Sequence, residues 1–316
     1  MRKFIYLSIL AFCGACSYHF DIEETRENPK LVIYSFPGNQ DTTFIQVSKS
    51  IPVGGNRDQQ TALSDAKITF CVNGKEKEVQ YAEKGSTSIP QACYYALGKF
   101  YPGDRIEIKA EAENLPAVSS RTEIPAFFPL KQFNLVKKLD IYGKKIIQFQ
   151  ISLQDDPSET NYYGVIIEKM SSYDDGCRIS TLSLLDTEEE PLVHQTGALD
   201  DLLLGDSYDS YFGMYIFSDN KINGKEYTLR LNDNNSYQPN SDSPDGTRWS
   251  RFYYRVTVFG LSADYYLYAK NILDLRNNEL GRYGLSPIRP TYKHIQTGLG
   301  LLGGYSMGQS GWLENI

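Results

Sequence analysis

The feature that most constrains the fold is a run of short segments with extended periodicity, broken at close intervals by turn residues. Between Lys30 and Pro125, strands are predicted at Leu31–Ser35, Thr43–Val47, Ala66–Val72, Glu78–Ala82, Arg105–Ala112 and Val118–Ile124. In Arg105–Ala112 the residues Ile106, Ile108, Ala110 and Ala112 share one face, and Glu107, Lys109 and Glu111 the other. That alternation is the signature of a half-buried strand. Asn73-Gly74 and Pro102-Gly103-Asp104 supply turns between them. The second half repeats the pattern at Lys145–Leu153, Tyr162–Lys169, Tyr211–Phe217, Glu226–Leu231 and Trp249–Phe259. Ser262–Asn278 carries helical period instead: Ser262 can cap it, and Tyr265, Tyr268, Ile272 and Leu275 form one stripe. The expected fold is all-β, with two β-sandwich domains and one helix in the C-terminal half. The N-terminal domain is expected to be immunoglobulin- or transthyretin-like.

The first residues set an address. Arg2 and Lys3 precede an apolar run from Phe4 to Phe12, interrupted by Ser8. A bilayer span needs about 20 apolar residues, so this run fits a secretory signal h-region. Gly14-Ala15 before Cys16 matches a bacterial lipobox, in which the peptidase cuts before the cysteine and its sulfur carries the lipid. Cys13 stands where that motif usually has Leu. The expected organisation is a lipoprotein signal at 1–16 with lipidated Cys16, a polar tether at 17–29, an N-terminal sandwich at 30–125 and a C-terminal β-rich domain at 130–316. Pro125 and Pro129 bracket the expected hinge. No other stretch is apolar enough to span a membrane, so the membrane contact is through lipid. Acidic Asp21, Glu23 and Glu24 follow the anchor. They resemble, a few residues later in the chain, the acidic signal that sends Bacteroidetes lipoproteins to the cell surface; that resemblance implies surface display at the outer membrane, a periplasm-facing position being the other reading.

Export also sets the redox context. Cys71 and Cys93 both fall in the first sandwich and are a possible disulfide in an oxidising envelope; two buried free thiols are the other reading. Cys177, beside Asp174, Asp175 and Gly176, has no partner base. The formal charge of −7 argues against nucleic acid, whose binders present a basic face.

Motifs for chemistry are sparse. Gly298-x-Gly300-x-x-Gly303 matches a dinucleotide fingerprint, but too little chain follows to complete the βαβ unit it requires. Gly304-x-Ser306-x-Gly308 matches a nucleophile elbow, but no His follows it. Both read as a closing strand whose glycines let backbones approach. Asp155-Asp156 could form half of a glycosidase pair, a turn-capping role being the commoner one. His194 and His294 have no second ligand at metal spacing. Calcium is conceivable only in the acidic loops, through Asp200, Asp201, Asp206 and Asp209, or Asp233, Asp242 and Asp245. No catalytic residue and no metal site is assigned. Paired tyrosines recur, and exposed Tyr beside Trp249 or Trp312 offers a ligand-stacking surface.

Several segments occur in an order that resembles the Bacteroidetes lipoprotein family called domain of unknown function 4249. They are VSKSIPV (47–53), SDAKITFCVNG (64–74), YPGDRIEIKAEA (101–112), TEIP (122–125), DDPSETNYYGVII (155–167), SDNKINGKEYTL (218–229) and HIQTGLGLLGGY (294–305). The resemblance implies an outer-membrane lipoprotein, often encoded near TonB-dependent transporters, and supplies no activity or catalytic residue. The function expected is a non-enzymatic accessory or ligand-capturing subunit beside a TonB-dependent β-barrel transporter. The alternatives are a surface hydrolase of glycan or peptide, and a structural envelope or adhesion module.

Overall fold

The computed structural model describes residues 28–51, 61–140, 142–173, 178–193, 210–233, 249–277 and 292–315. The chain is all-β, as the periodicity predicts, and the described residues form strands in four sheets and one long helix. The first eight strands are β1 (Leu31–Ser35), β2 (Thr42–Lys49), β3 (Lys67–Val72), β4 (Lys75–Lys77), β5 (Gln80–Ala82), β6 (Cys93–Leu97), β7 (Arg105–Ala112) and β8 (Leu115–Glu123). The second half continues with β9 (Leu130–Leu139), β10 (Lys145–Gln154), β11 (Tyr162–Tyr173), β12 (Arg178–Leu182), β13 (Tyr215–Ser218), β14 (Glu226–Asp233) and β15 (Trp249–Leu261). Helix α1 (Ala263–Arg276) follows, then β16 (Leu299–Leu302), β17 (Tyr305–Gln309) and β18 (Leu313–Glu314).

The first sandwich packs the sheet β16-β1-β2-β6-β5 on the sheet β4-β3-β7-β8. Its core interleaves Leu31, Ile33, Ile45 and Val47 from one layer with Phe70, Ile106, Ile108 and Val118 from the other. Ile106, Ile108 and Ala110 are buried while Glu107 and Lys109 are exposed, so the alternation seen in the sequence is the observed pleat. The second sandwich places β14-β10-β9 against β12-β11-β15-β17, with β13 and β18 added to β11 and β15. Ile147, Phe149, Ile151 and Leu153 of β10 fill its core opposite Val165, Ile167, Tyr254 and Val256.

Strand β16 alters the expected division of the chain. It lies in the 130–316 segment, yet it pairs in parallel with β1, Ile33 opposite Gly300 and Ser35 opposite Leu302, and buries Leu302 in the first core. The physical reason is the edge of β1, which would otherwise present unpaired backbone groups. The expected hinge is also anchored. Ser306 Oγ donates to the Ala126 carbonyl at 2.7 Å, and Gly260 approaches that carbonyl so closely that a Cβ would stand 2.0 Å from it.

Helix α1 begins where the sequence puts it, with the Ser262 hydroxyl accepting from the Tyr265 backbone N–H at 3.3 Å. Its buried line differs from the expected stripe: Ala269 and Leu273 are fully buried, whereas Ile272 and Leu275 are half-buried. The helix lies between two bodies, the outer face of the second sandwich at Met214, Ile216 and Leu261 and the first sandwich at Tyr34 and Phe36. A helix covered on two sides does not show a single stripe.

Candidate functional site

Where β1 runs out, Phe36-Pro37-Gly38-Asn39-Gln40-Asp41 turns the chain into β2 and meets β17 of the second sandwich. Both partners of this junction are pinned by backbone bonds. Tyr305 N donates to Pro37 O at 3.0 Å, Phe100 N to Gly38 O at 2.9 Å and Gly98 N to Asp41 O at 2.9 Å. The Asn39 amide then copies a strand partner. Its Nδ2 donates to Met307 O at 2.8 Å, and its Oδ1 accepts from Met307 N at 2.8 Å. Gly38 is needed for contact: a Cβ there would lie 2.7–2.8 Å from three atoms of the Tyr305 ring.

These contacts leave a groove of about 370 Å³, lined by Phe36, Gln40, Asp41, Thr42, Phe44 and Tyr305. Two rings are fixed from behind, Phe36 by Tyr265 at 4.9 Å and Tyr305 by Phe259 at 6.0 Å between centroids. The polar lining is looser. Gln40 makes a long contact to Met307 Sδ at 3.8 Å, and Asp41 pairs with Lys99 at 3.4 Å with both side chains largely exposed. An exposed pair of this kind contributes little to stability, so these groups are free to bind. Burial raises the Tyr305 phenol above its ordinary range, which keeps it neutral at physiological pH. The first described residues of the chain, 28–30, enter at the opposite end of β1, where Lys30 and Ser50 bond each other. Six extended residues separate that point from Phe36, or about 20 Å.

The structure places the sequence candidates elsewhere. Cys71 and Cys93 are free thiols and not a disulfide. Each alternates with an inward core residue, Phe70 and Tyr94 respectively, so the two face away from each other on different sheets. Cys93 Sγ donates to the carbonyls of Ile45 and Tyr94, and burial pushes its thiol up, which makes it inert. Trp312 is half-buried, with the Arg255 guanidinium 4.5 Å above its ring and itself held in a fork by Glu168. Trp249 begins β15, twelve residues from Leu261, which pairs with Tyr305; that is about 40 Å of strand from the groove. Its side chain lies outside the described residues, as do Cys16, Cys177, His194 and every residue of the acidic loops except Asp233. Asp233 is buried at the end of β14. Among the described residues, no three His, Cys, Asp or Glu side chains come together as a metal site, and no helix is long and apolar enough to cross a membrane.

The residues with chemical potential serve structure. Asp155 is buried, accepting from the Tyr163 hydroxyl at 2.6 Å and the Gly224 N–H at 2.8 Å. Asp156 caps Ser158 N, which lowers its carboxyl below the ordinary range. Glu190, in a loop between β12 and β13, is fully buried and accepts from Arg230 N, Leu192 N and Tyr227 OH. One pairing was not legible: His294 Nδ1 stands 2.9 Å from Asp264 Oδ1, which also accepts from Tyr292 OH. Burial works to raise Asp264, but these two partners outweigh it and hold the carboxyl below its usual range. His294 and Asp264 are thirty positions apart, and only the return of the chain past helix α1 joins them. The groove itself had one sequence signal, the Pro37-Gly38 turn between two strands, with nothing to show that Tyr305 would reach it.

Fold and site together define an all-β protein of two sandwiches, held by a crossing C-terminal arm around an aromatic-walled groove. The chain belongs to the family described as domain of unknown function (DUF4249), whose family model matches residues 17–310. No curated protein matches it.

Proposed function

We propose that the protein is an outer-membrane lipoprotein, anchored through Cys16 and displayed at the cell surface, that captures a ligand beside a TonB-dependent β-barrel transporter without chemistry of its own. The observation that carries this reading is the junction groove, where Gln40 and Asp41 are held only by a long sulfur contact and an exposed ion pair, and whose position is about 20 Å along β1 from the entry of the tether. Asp155, Ser306 and Glu190, the side chains an enzyme would use, are each committed to bonds that hold the fold. A lipid tether raises effective concentration at the membrane, so a weak docking contact to a transporter suffices. The test is purification of the tagged full chain from its native outer membrane in mild detergent. Near-stoichiometric recovery of a β-barrel transporter supports the accessory role; recovery of the chain alone refutes it.

A further inference from the structure

We infer that the junction groove binds a neutral pyranose unit of a glycan, a reading that rests on the ligand-capturing function proposed above. Three rings, Phe36, Phe44 and Tyr305, line one groove with Gln40, Asp41 and Thr42. Aromatic side chains are the surfaces on which the C–H face of a sugar ring packs. The Gln40 amide both donates and accepts, the Thr42 hydroxyl does both, and the Asp41 carboxylate accepts from paired hydroxyls. This set satisfies a ligand whose rim is hydroxyl and whose face is carbon.

The same residues argue against other chemistries. Asp41 and Lys99 stand 3.4 Å apart and compensate each other's charge, so the rim offers neither an anion nor a cation an uncompensated partner. Half the lining residues are polar, which is poor lining for an acyl chain. The volume of 370 Å³ corresponds to about a dozen waters at ~30 Å³ each, room for a sugar ring with its hydroxyls.

The groove is rigid where it stacks and free where it bonds. Asn39 and Met307 lock the wall, and Tyr305 lies against Gly38. Among the described residues, the Gln40 amide gives up one long sulfur contact on binding. Preorganised rings with an uncommitted amide suit weak, selective sugar binding.

The experiment is saturation-transfer NMR and calorimetry on the detergent-solubilised full chain. The probes are neutral trisaccharides of glucose, mannose, galactose and N-acetylglucosamine, each at about 10 mM, a range that detects millimolar affinity. Gln40→Ala and Asp41→Ala remove exposed groups, so both variants retain the fold. The expected result is binding of at least one trisaccharide, weakened about tenfold by either substitution. Binding of none of the four overturns the inference, as does sugar binding that both variants retain, or binding of tetramethylammonium in place of sugar. Transporter recovery in the pull-down without sugar binding sinks this inference and leaves the accessory role standing. Sugar binding without a transporter does the reverse.

Discussion

Gly300→Ala probes the crossing arm directly. Gly300 sits in β16 with φ +106°, a conformation that side-chain-bearing residues rarely adopt, and a Cβ there would lie 1.9 Å from the Ile33 carbonyl oxygen. Ordinary contact begins near 3.4 Å, so β16 must retreat from β1 by about 1.5 Å. Ladder bonds of about 2.9 Å do not survive that displacement. Backbone strain alone costs about 1–3 kcal/mol. If the strand lifts, Leu301 and Leu302, both fully buried, lose their packing at about 1.5–3 kcal/mol each. The expected loss is therefore at least about 3 kcal/mol, and on the order of 10 °C in melting temperature for a unit of this size. Urea unfolding followed by far-ultraviolet circular dichroism reads both sandwiches. The only two tryptophans, Trp249 and Trp312, report the second alone. Gly308→Ala meets Val258 at an ordinary 3.5 Å and Gly311→Ala meets nothing within 4 Å, so both should stay within about 0.5 kcal/mol of the parent. A Gly300→Ala protein within about 1 kcal/mol of the parent would show that β16 is not seated on β1.

The remaining expectations concern individual side chains. Asp155→Ala leaves the buried Tyr163 hydroxyl and the Gly224 N–H without their acceptor and should cost about 3 kcal/mol in urea unfolding, with no cost refuting the assignment. Alkylation of the native protein without prior reduction, read by mass spectrometry, should label Cys71, and Cys93 only after unfolding; a reductant requirement would mean that the two are bonded. Stability should fall as pH rises above 10. Burial pushes Tyr227 up to about 12, with Tyr163 higher still, so the folded state keeps phenolic protons that the unfolded chain loses from its ordinary value of 10.0. The stabilisation is complete below 10 and disappears through the folded values; a flat unfolding free energy from pH 9 to 12 would contradict it. Asp264 runs the other way, its depressed carboxyl contributing stability above the ordinary value of 3.8 that disappears as pH falls through the folded value. Asp264→Asn should flatten that acid limb.

Alternation made some strands legible to their ends. Arg105–Ala112 and Leu31–Ser35 keep their predicted limits, because alternation is a local property of the pleat. Strand β6 buries the neighbouring Cys93 and Tyr94, which blurs its period, and β9 mixes polar and apolar residues along a sheet edge where few positions are dry. The sequence by itself determined the all-β class, the helix capped by Ser262, the glycines of a closing strand and the family. Each follows from periodicity, capping or residue order along the chain. Tertiary structure alone decided that β16 completes the first sandwich, that His294 meets Asp264, that Cys71 and Cys93 face apart and that Tyr305 closes a groove over Gly38. These depend on contacts between residues tens to hundreds of positions apart. What chooses among such contacts is the covering of sheet edges and the packing of rings against backbone, neither of which leaves a local pattern.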